Sequence, residues 1–450
     1  MKKQQNTVPS NRFSRLSSLG GLASRLAGNV LVEGVKKFSQ GEKPTLNQLV
    51  MTPKNMTHIA DKLAQLRGAA MKVGQILSMD SGNFLPEELT ERLSRLRSDA
   101  NAMPHKQLIA MLKDNWGAHW LDTFAHFELS PFAAASIGQV HLATLETGEK
   151  LAVKLQYPGV RNSIDSDIDN VAALLNASKV IPSHMHITPL LDEAKKQLHM
   201  EADYCHELKM LERFSVLTQQ GTSATGHTAQ ATSSHFIVPK VYRALCNQNI
   251  LVMAFVEGQS IESTIELTQA VRNNVASRLL ALFFEELFSF KLMQTDPNFA
   301  NYQYQADSDK LVLLDFGACR PINDALSTQY QQLMSASITN DRARMEHAAQ
   351  AIGFFQEAIT AQQKARVLDI FYVACEPLRY VGEYDFSQHQ LANKVKEAAM
   401  AMSSQSSEWH SPPADAIFIH RKLAGLYLLA TKIGAKVDVK QLFQQYLIRF

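Results

Sequence analysis

Aspartate followed five residues later by asparagine, then an apolar run ending in Asp-Phe-Gly, constrains this chain more than any other feature. Asp296-Pro297-Asn298-Phe299-Ala300-Asn301 leads into Leu311-Val312-Leu313-Leu314-Asp315-Phe316-Gly317. Carboxylate, amide and carboxylate stand in the order and spacing that protein-kinase-like folds use for phosphoryl transfer. On that reading Asp296 orients an attacking hydroxyl or water. Asn301 and Asp315 hold a hard cation against the phosphates. Magnesium suits such a set, because it takes one or two protein carboxylates and completes its octahedron with water and phosphate oxygens. Asp and Asn are also common at strand ends for turn reasons alone, so the pattern draws weight from two elements upstream.

The first is Leu151-Ala152-Val153-Lys154-Leu155-Gln156. Strand alternation puts Leu151, Val153 and Leu155 on one face and Ala152, Lys154 and Gln156 on the other. Lys154 then points into a cleft beside a small residue. Thr147-Gly148 supplies a turn, so a hairpin with Ile137 to Ala143 is expected. The second is a carboxylate-rich helix, roughly Thr188 to Leu217, with Glu201, Asp203 and Glu207. Asp203 and Glu207 share a face, whereas Glu201 sits about 200° from Asp203 on an ideal helix. Lys154 therefore pairs with Glu207 or Asp203, and Glu207 is the preferred orienting partner.

Two omissions narrow the chemistry. Where a protein kinase has a glycine-rich phosphate loop, this chain has Pro131-Phe132-Ala133-Ala134-Ala135-Ser136-Ile137-Gly138-Gln139-Val140, with one glycine. Alanine takes positive φ only at a cost, so this loop is expected to be stiffer and to hold a nucleotide differently. After Gly317 the chain runs through Ala318-Cys319-Arg320-Pro321 almost directly into a helical pattern, leaving little room for an activation loop. Protein substrates are disfavoured.

Together with Lys72-Val73-Gly74-Gln75, these residues resemble the AarF/UbiB/ADCK family of atypical kinases from about Val8 to at least Ile322. The motif set is Lys72, Gly74 and Gln75; Ala133-Ala134-Ala135-Ser136; Lys154; Glu201 with Asp203; Glu207; Asp296 with Asn301; and Asp315-Phe316-Gly317. The resemblance implies an α+β, bilobal protein-kinase-like fold whose helical N-terminal extension packs over the active site. It also implies binding of ATP or ADP with Mg2+, and atypical kinase or ATPase activity supporting ubiquinone biosynthesis. The expected boundaries are 1–125 for the extension, 126–257 for a β-rich N-lobe with an insertion near 219–235, and 258–450 for a helical C-lobe. The nucleotide is expected at Ala133, Ala134, Ala135, Ser136, Val140, Ala152, Lys154, Glu207, Met253 and Phe255, with adenine contacts supplied by backbone groups from Met253 to Val256.

Periodicity adds its own reading of the Lys72 segment. Ile59, Leu63, Leu66, Ala70, Val73 and Leu77 form one apolar stripe, while the opposite face, with Gly68, Met71, Lys72, Gln75 and Met79, is too small and apolar for simple solvation. Both faces should be covered.

The remaining features set limits. A net charge of +2 and scattered Lys and Arg argue against nucleic acid as a partner. Cys205, Cys246, Cys319 and Cys375 have no paired-ligand spacing, and His184, His186, His199 and His206 share no metal-binding periodicity. Residues 1–32 are basic, serine-containing and free of acid, like an organellar transit peptide, yet Val8 to Leu16 also resembles a segment retained in mature members of the family. Retention is preferred here. From Leu16 to Phe38 the pattern fits either an amphipathic helix on an anionic membrane or a core helix of the extension. The most apolar run, Leu279 to Met293, is interrupted by Glu285, Glu286 and Lys291 and reads as a long helix under the active site. Ala416 to Phe450 is helical in pattern but punctuated by Arg421, Lys422, Lys432, Lys436 and Lys440, so no segment spans a bilayer. The expected protein is cytoplasmic or peripheral on an inner membrane. Its expected partners are the nucleotide, a lipid or quinone-precursor molecule, an anionic membrane surface and quinone-biosynthesis proteins. Two alternatives stand beside it: a nucleotide-dependent scaffold, and a small-molecule phosphotransferase of the aminoglycoside or choline type.

Overall fold

The computed structural model describes residues 69, 72, 73, 102–135, 137–177, 188–220, 235–355, 359–391, 393–395, 397, 398 and 413–448. These fall in two compact units, one of Met1–His206 with Val241–Phe255, the other of Glu207–Lys240 with Val256–Phe450. Most of the expected extension, most of the 219–235 insertion, and Gly74, Gln75 and Ser136 lie outside the described residues.

The first unit is organised by helix α1 (His105–Trp116) and strands β1 (Phe124–Phe127), β2 (Ala133–Ala134), β3 (Gly138–Leu145) and β4 (Lys150–Gln156). Its last strand, β6 (Ile250–Ala254), follows β5 (Phe236–Ile237) of the second unit. Strand order is β1-β3-β4-β6, with β2 on β3 and every pairing antiparallel. The expected hairpin is present, and Gly148 takes the positive φ of its turn. Alternation holds as well. Leu151, Val153 and Leu155 are buried against Leu108, Leu112, Trp120, Phe124 and Phe127. Ala152 and Lys154 lie half-buried on the other face. Two polar side chains in this core, His141 and Gln139, are satisfied by bonding each other at 2.7 Å, with Glu128 O on His141 Nδ1 and Met103 N–H on Gln139 Oε1.

Helices α2 (Val160–Ala177) and α3 (Thr188–Glu201) are tied by Lys195–Asp169 and His199–Asp165 at 2.6 and 2.9 Å. The single carboxylate-rich helix expected from Thr188 to Leu217 is two helices. α3 ends at Glu201, and α4 (Tyr204–Gln220) begins afresh. Asp203 causes the break by capping α4, its Oδ1 accepting the N–H groups of Cys205 and His206 at 3.1 and 3.2 Å. Ala69, Lys72 and Val73 are helical and buried, so both faces of the Lys72 segment are covered at the positions described.

In the second unit, β5, β7 (Gln259–Ser260), β9 (Tyr302–Gln305) and β10 (Lys310–Leu313) form one sheet, and β8 (Leu292–Gln294) pairs with β11 (Cys319–Pro321). Around them stand helices α5 (Gln269–Glu285), α6 (Asp324–Thr339), α7 (Arg342–Ile352), α8 (Ala361–Ala374) and α9 (Ala414–Lys432). Side chains of Thr268, Asn323, Asp341 and Thr360 cap α5 to α8 in turn. The apolar run from Leu279 is helical only as far as Phe290, closing in a π-turn at Glu286–Phe290. Lys291 then takes φ 48° and the chain becomes β8. The helix expected through Met293 is thus corrected, and Glu285 and Glu286 are buried rather than solvated. Among the described residues no helix is long and apolar enough to cross a membrane.

On α9, His420 is enclosed by aromatic rings, stacked 5.5 Å from Phe354 and bonded to the Tyr330 hydroxyl at 3.0 Å. Burial pushes its pKa down to about 4 from the ordinary 6.5. The neutral ring therefore contributes stability that is complete above pH 6.5 and is lost as the pH falls towards 4. His420→Gln keeps a partner for Tyr330 but takes no proton. Its melting temperature should fall less steeply between pH 6.5 and about 4.5 than that of the unaltered chain, and parallel curves would contradict this assignment.

Candidate active site

Two antiparallel ladders gather Asp296, Asn301 and Asp315. In the first, Tyr302 pairs with Leu313, so Asn301 stands beside Leu314, whose N–H donates to Asn301 O at 3.0 Å. That register sets Asn301 next to the strand end carrying Asp315. In the second, Gln294 pairs with Cys319, and the Thr295 hydroxyl donates to Ala318 O at 2.7 Å. The segments flanking Asp296 and Asp315 are thereby fastened together. Asn301 Nδ2 faces Asp296 Oδ2 at 3.3 Å, which turns the amide oxygen to the other side. Asp315 Oδ1 accepts the Gly317 N–H at 3.0 Å, fixing the turn after the strand. Phe316 is buried, its ring centroid 4.9 Å from that of Phe214 on α4. An amide oxygen and a carboxylate in adjoining strand ends are hard donors of the kind magnesium accepts.

Helix α9 supports this loop from behind, a role that sequence reading missed. Arg421 Nη2 lies 3.3 Å from Asp296 Oδ1, with Arg421 buried. Lys422 donates to Gln294 O at 2.8 Å and Gln294 Oε1 at 3.0 Å, and lies 3.2 Å from Glu286. One turn further on, Gly425 meets Pro297 so closely that an added Cβ would sit 2.4 Å from the proline Cβ. Burial pushes the Glu286 carboxyl up to about 7, against the pull of Lys422. Against the lowering effect of burial, Glu286 and Tyr302 hold the Lys422 ammonium above its usual range. Breaking such a pair by removing one partner costs about 3–5 kcal/mol, because the other charge is stranded.

In the first unit, Lys154 lies opposite Val140 on β3 and Leu251 on β6, and Ala152 opposite Met253. The ammonium sits 5.2 Å from the centre of the buried Tyr204 ring. Gln156, on the same face, donates to Ala202 O at 2.7 Å. The strand that carries the lysine thus holds the break between α3 and α4, with Glu201 before it and Asp203 after it. Lys72 forms a buried ion pair with Glu201. Glu207 lies in the second unit, fully buried in the first turn of α4.

The alanine loop is a hairpin. Ala133 and Ala134 pair with Val140 and Gln139, and the Ala135 N–H donates to Gly138 O at 3.0 Å. The surviving glycine serves strand packing, since a Cβ on Gly138 would lie 2.0 Å from Leu155 O. Phe132, more than half exposed, sets its ring edge-on to Phe255 at 5.5 Å. No local periodicity distinguishes this aromatic pair in the sequence.

The description "ABC1 atypical kinase-like domain" belongs to a family model that matches residues 95–349. The mitochondrial atypical kinase COQ8 of Saccharomyces cerevisiae is 33% identical over 444 residues, covering 98% of this chain and 86% of the relative. This chain belongs to the ABC1 family of atypical kinases, the AarF/UbiB/ADCK group. The mitochondrial atypical kinase COQ8B of Rattus norvegicus is 34% identical, covering 100% of the chain and 83% of the relative. Among solved structures, Rv3197 of Mycobacterium tuberculosis, determined with erythromycin, has a TM-score of 0.58 at 23% identity, covering 86% of this chain and 93% of that one. The ABC1 fold here is α+β and kinase-like.

The cap at Asp203 gives a direct test of how the family's Glu-x-Asp motif is built. Asp203→Ala should cost about 1 kcal/mol in urea denaturation, and Asp203→Asn only a few tenths, because the amide oxygen still caps. Equal losses in both variants would show that the carboxylate charge, rather than capping, is what the position supplies.

Proposed function

We propose that the chain binds ATP with magnesium and transfers the γ-phosphoryl group to a small acceptor or to water, in support of ubiquinone biosynthesis. The observation that supports this reading is that the two ladders bring the backbone segments of Asp296, Asn301 and Asp315 together. Asp296 orients the incoming hydroxyl or water towards the γ-phosphorus as the bond to the β-phosphate oxygen breaks and ADP leaves. Asn301 and Asp315 are the residues that would hold magnesium, which when bound neutralises charge on the phosphates. Lys154 contributes a positive charge to the phosphates. Ala133, Ala134, Ala135, Ser136 and Val140 approach the phosphates, and Ala152, Met253 and Phe255 approach the base.

On this reading Lys72 and Gln75 occupy space that a larger acceptor would need, which favours a small molecule, while Gly74, Glu201 and Asp203 complete the family motif. The short path from Gly317 through β11 to α6 at Asp324 supports the same restriction, because it leaves little room for an activation loop. Named relatives that are mitochondrial atypical kinases support the quinone assignment, with the chain working peripherally at an inner membrane on a lipid or quinone-precursor substrate beside other biosynthetic proteins.

Purified protein given ATP, magnesium and a phenolic or lipid additive should release phosphate. Asp296→Asn should slow release by at least ~100-fold while ATP affinity changes little. Asp315→Asn should weaken magnesium-dependent nucleotide binding by at least ~10-fold. Binding without phosphate release, indifferent to Asp296→Asn, would instead favour a nucleotide-dependent scaffold. Unchanged titration curves for Asp315→Asn would remove that residue from the metal site.

A further inference from the structure

We infer that Lys422 is a positioning residue for the loop that carries Asp296, acting through Gln294 to fix where that carboxylate stands. The inference rests on the proposed phosphoryl-transfer function for its kinetic consequence, though not for its structural one.

The geometry is a relay. An ammonium has three protons to donate. Those of Lys422 are met by Gln294 O, Gln294 Oε1 and the Glu286 carboxylate. Gln294 Oε1 also accepts from the Tyr302 hydroxyl at 3.3 Å. With two donors aimed at its oxygen, the Gln294 amide has one orientation, and its Nε2 faces Asp296 O at 3.0 Å. Lys422 thus determines both the backbone carbonyl at the end of β8 and the side chain that anchors the backbone of Asp296 two residues later. The neighbouring residue on α9, Arg421, reaches the Asp296 carboxylate itself.

Stability alone is a weak reason for this arrangement. Glu286 and Lys422 are each only 1% exposed. Apolar side chains of similar volume often replace such buried pairs without loss of stability, whereas a charge that holds a defined partner supplies orientation. Within this network the lysine is the group that touches both the carbonyl and the amide of Gln294. Glu286 holds the ammonium and also accepts from the backbone N–H of Gln294, and Tyr302 shares the amide oxygen.

The test compares three proteins: the unaltered chain, the double variant Glu286→Gln with Lys422→Met, which keeps an acceptor for the Gln294 backbone N–H, and Gln294→Met, which cuts the relay while leaving the ion pair in place. Hydrogen exchange read by mass spectrometry should rise at least ~10-fold in peptides spanning 292–301 in both variants, with peptides from α6 to α8 unchanged. Turnover should fall at least ~10-fold while nucleotide affinity stays within ~3-fold, since misplacement of about 1 Å affects the reacting geometry more than binding. Protection of 292–301 equal to that of the unaltered chain in either variant would overturn the inference, as would full turnover in the double variant. If the double variant does not fold, the Gln294→Met comparison decides alone. Failure of the unaltered chain to release phosphate would defeat the proposed function and leave the exchange measurement to judge Lys422.

Discussion

A single helix bears on the loop that defines this molecule. Arg421, Lys422 and Gly425 occupy just over one turn of α9, and each meets a different part of Gln294 to Pro297: a carboxylate, a carbonyl with its side-chain amide, and a proline ring. Loops tend to be mobile because their polar backbone groups face water. Here the Gln294 carbonyl and the Asp296 carboxylate are held by the buried Lys422 and Arg421, which tie the loop to the helix. The two ladders then extend that tie to Asn301 and Asp315, because Tyr302 and Gln294 belong to strands paired with the segments on either side of Asp315.

The same economy of parts recurs in the first unit. Lys154 and Gln156 share a strand face, and Gln156 grips the residue between Glu201 and Asp203. Asp203 turns the chain into a new helix, while Glu201 turns to the buried Lys72. Three carboxylates close in sequence therefore do three different things: one pairs with a lysine, one caps a helix, and one is buried in the first helical turn. The alanine segment is a hairpin with backbone bonds across it, so pairing as well as restricted φ limits its conformations.

What was readable from sequence was what depends on local spacing. Alternation around Lys154 and the turn at Gly148 are set within a few residues, and they stand as expected. The boundary between α3 and α4 was missed because Asp203 fits a helix as readily as a cap by its spacing, and only the chain direction after Ala202 decides between them. The end of the helix at Phe290 has a different cause: Leu287, Phe290, Leu292 and Met293 keep the segment apolar on both sides of Lys291, where the backbone changes from helix to strand. Hardest to foresee were Arg421 and Lys422. By pattern they are charges that punctuate a helix, and their partners lie more than a hundred residues away.

The central claim is that Asn301 and Asp315 hold the metal that serves the transferred phosphate. Manganese, which scatters anomalously and substitutes for magnesium at oxygen sites, gives the most direct measurement in crystals grown with a non-hydrolysable ATP analogue. The account predicts an anomalous peak about 2.2 Å from both Asn301 Oδ1 and an Asp315 carboxylate oxygen. A manganese peak on the nucleotide with neither side chain within reach would contradict it.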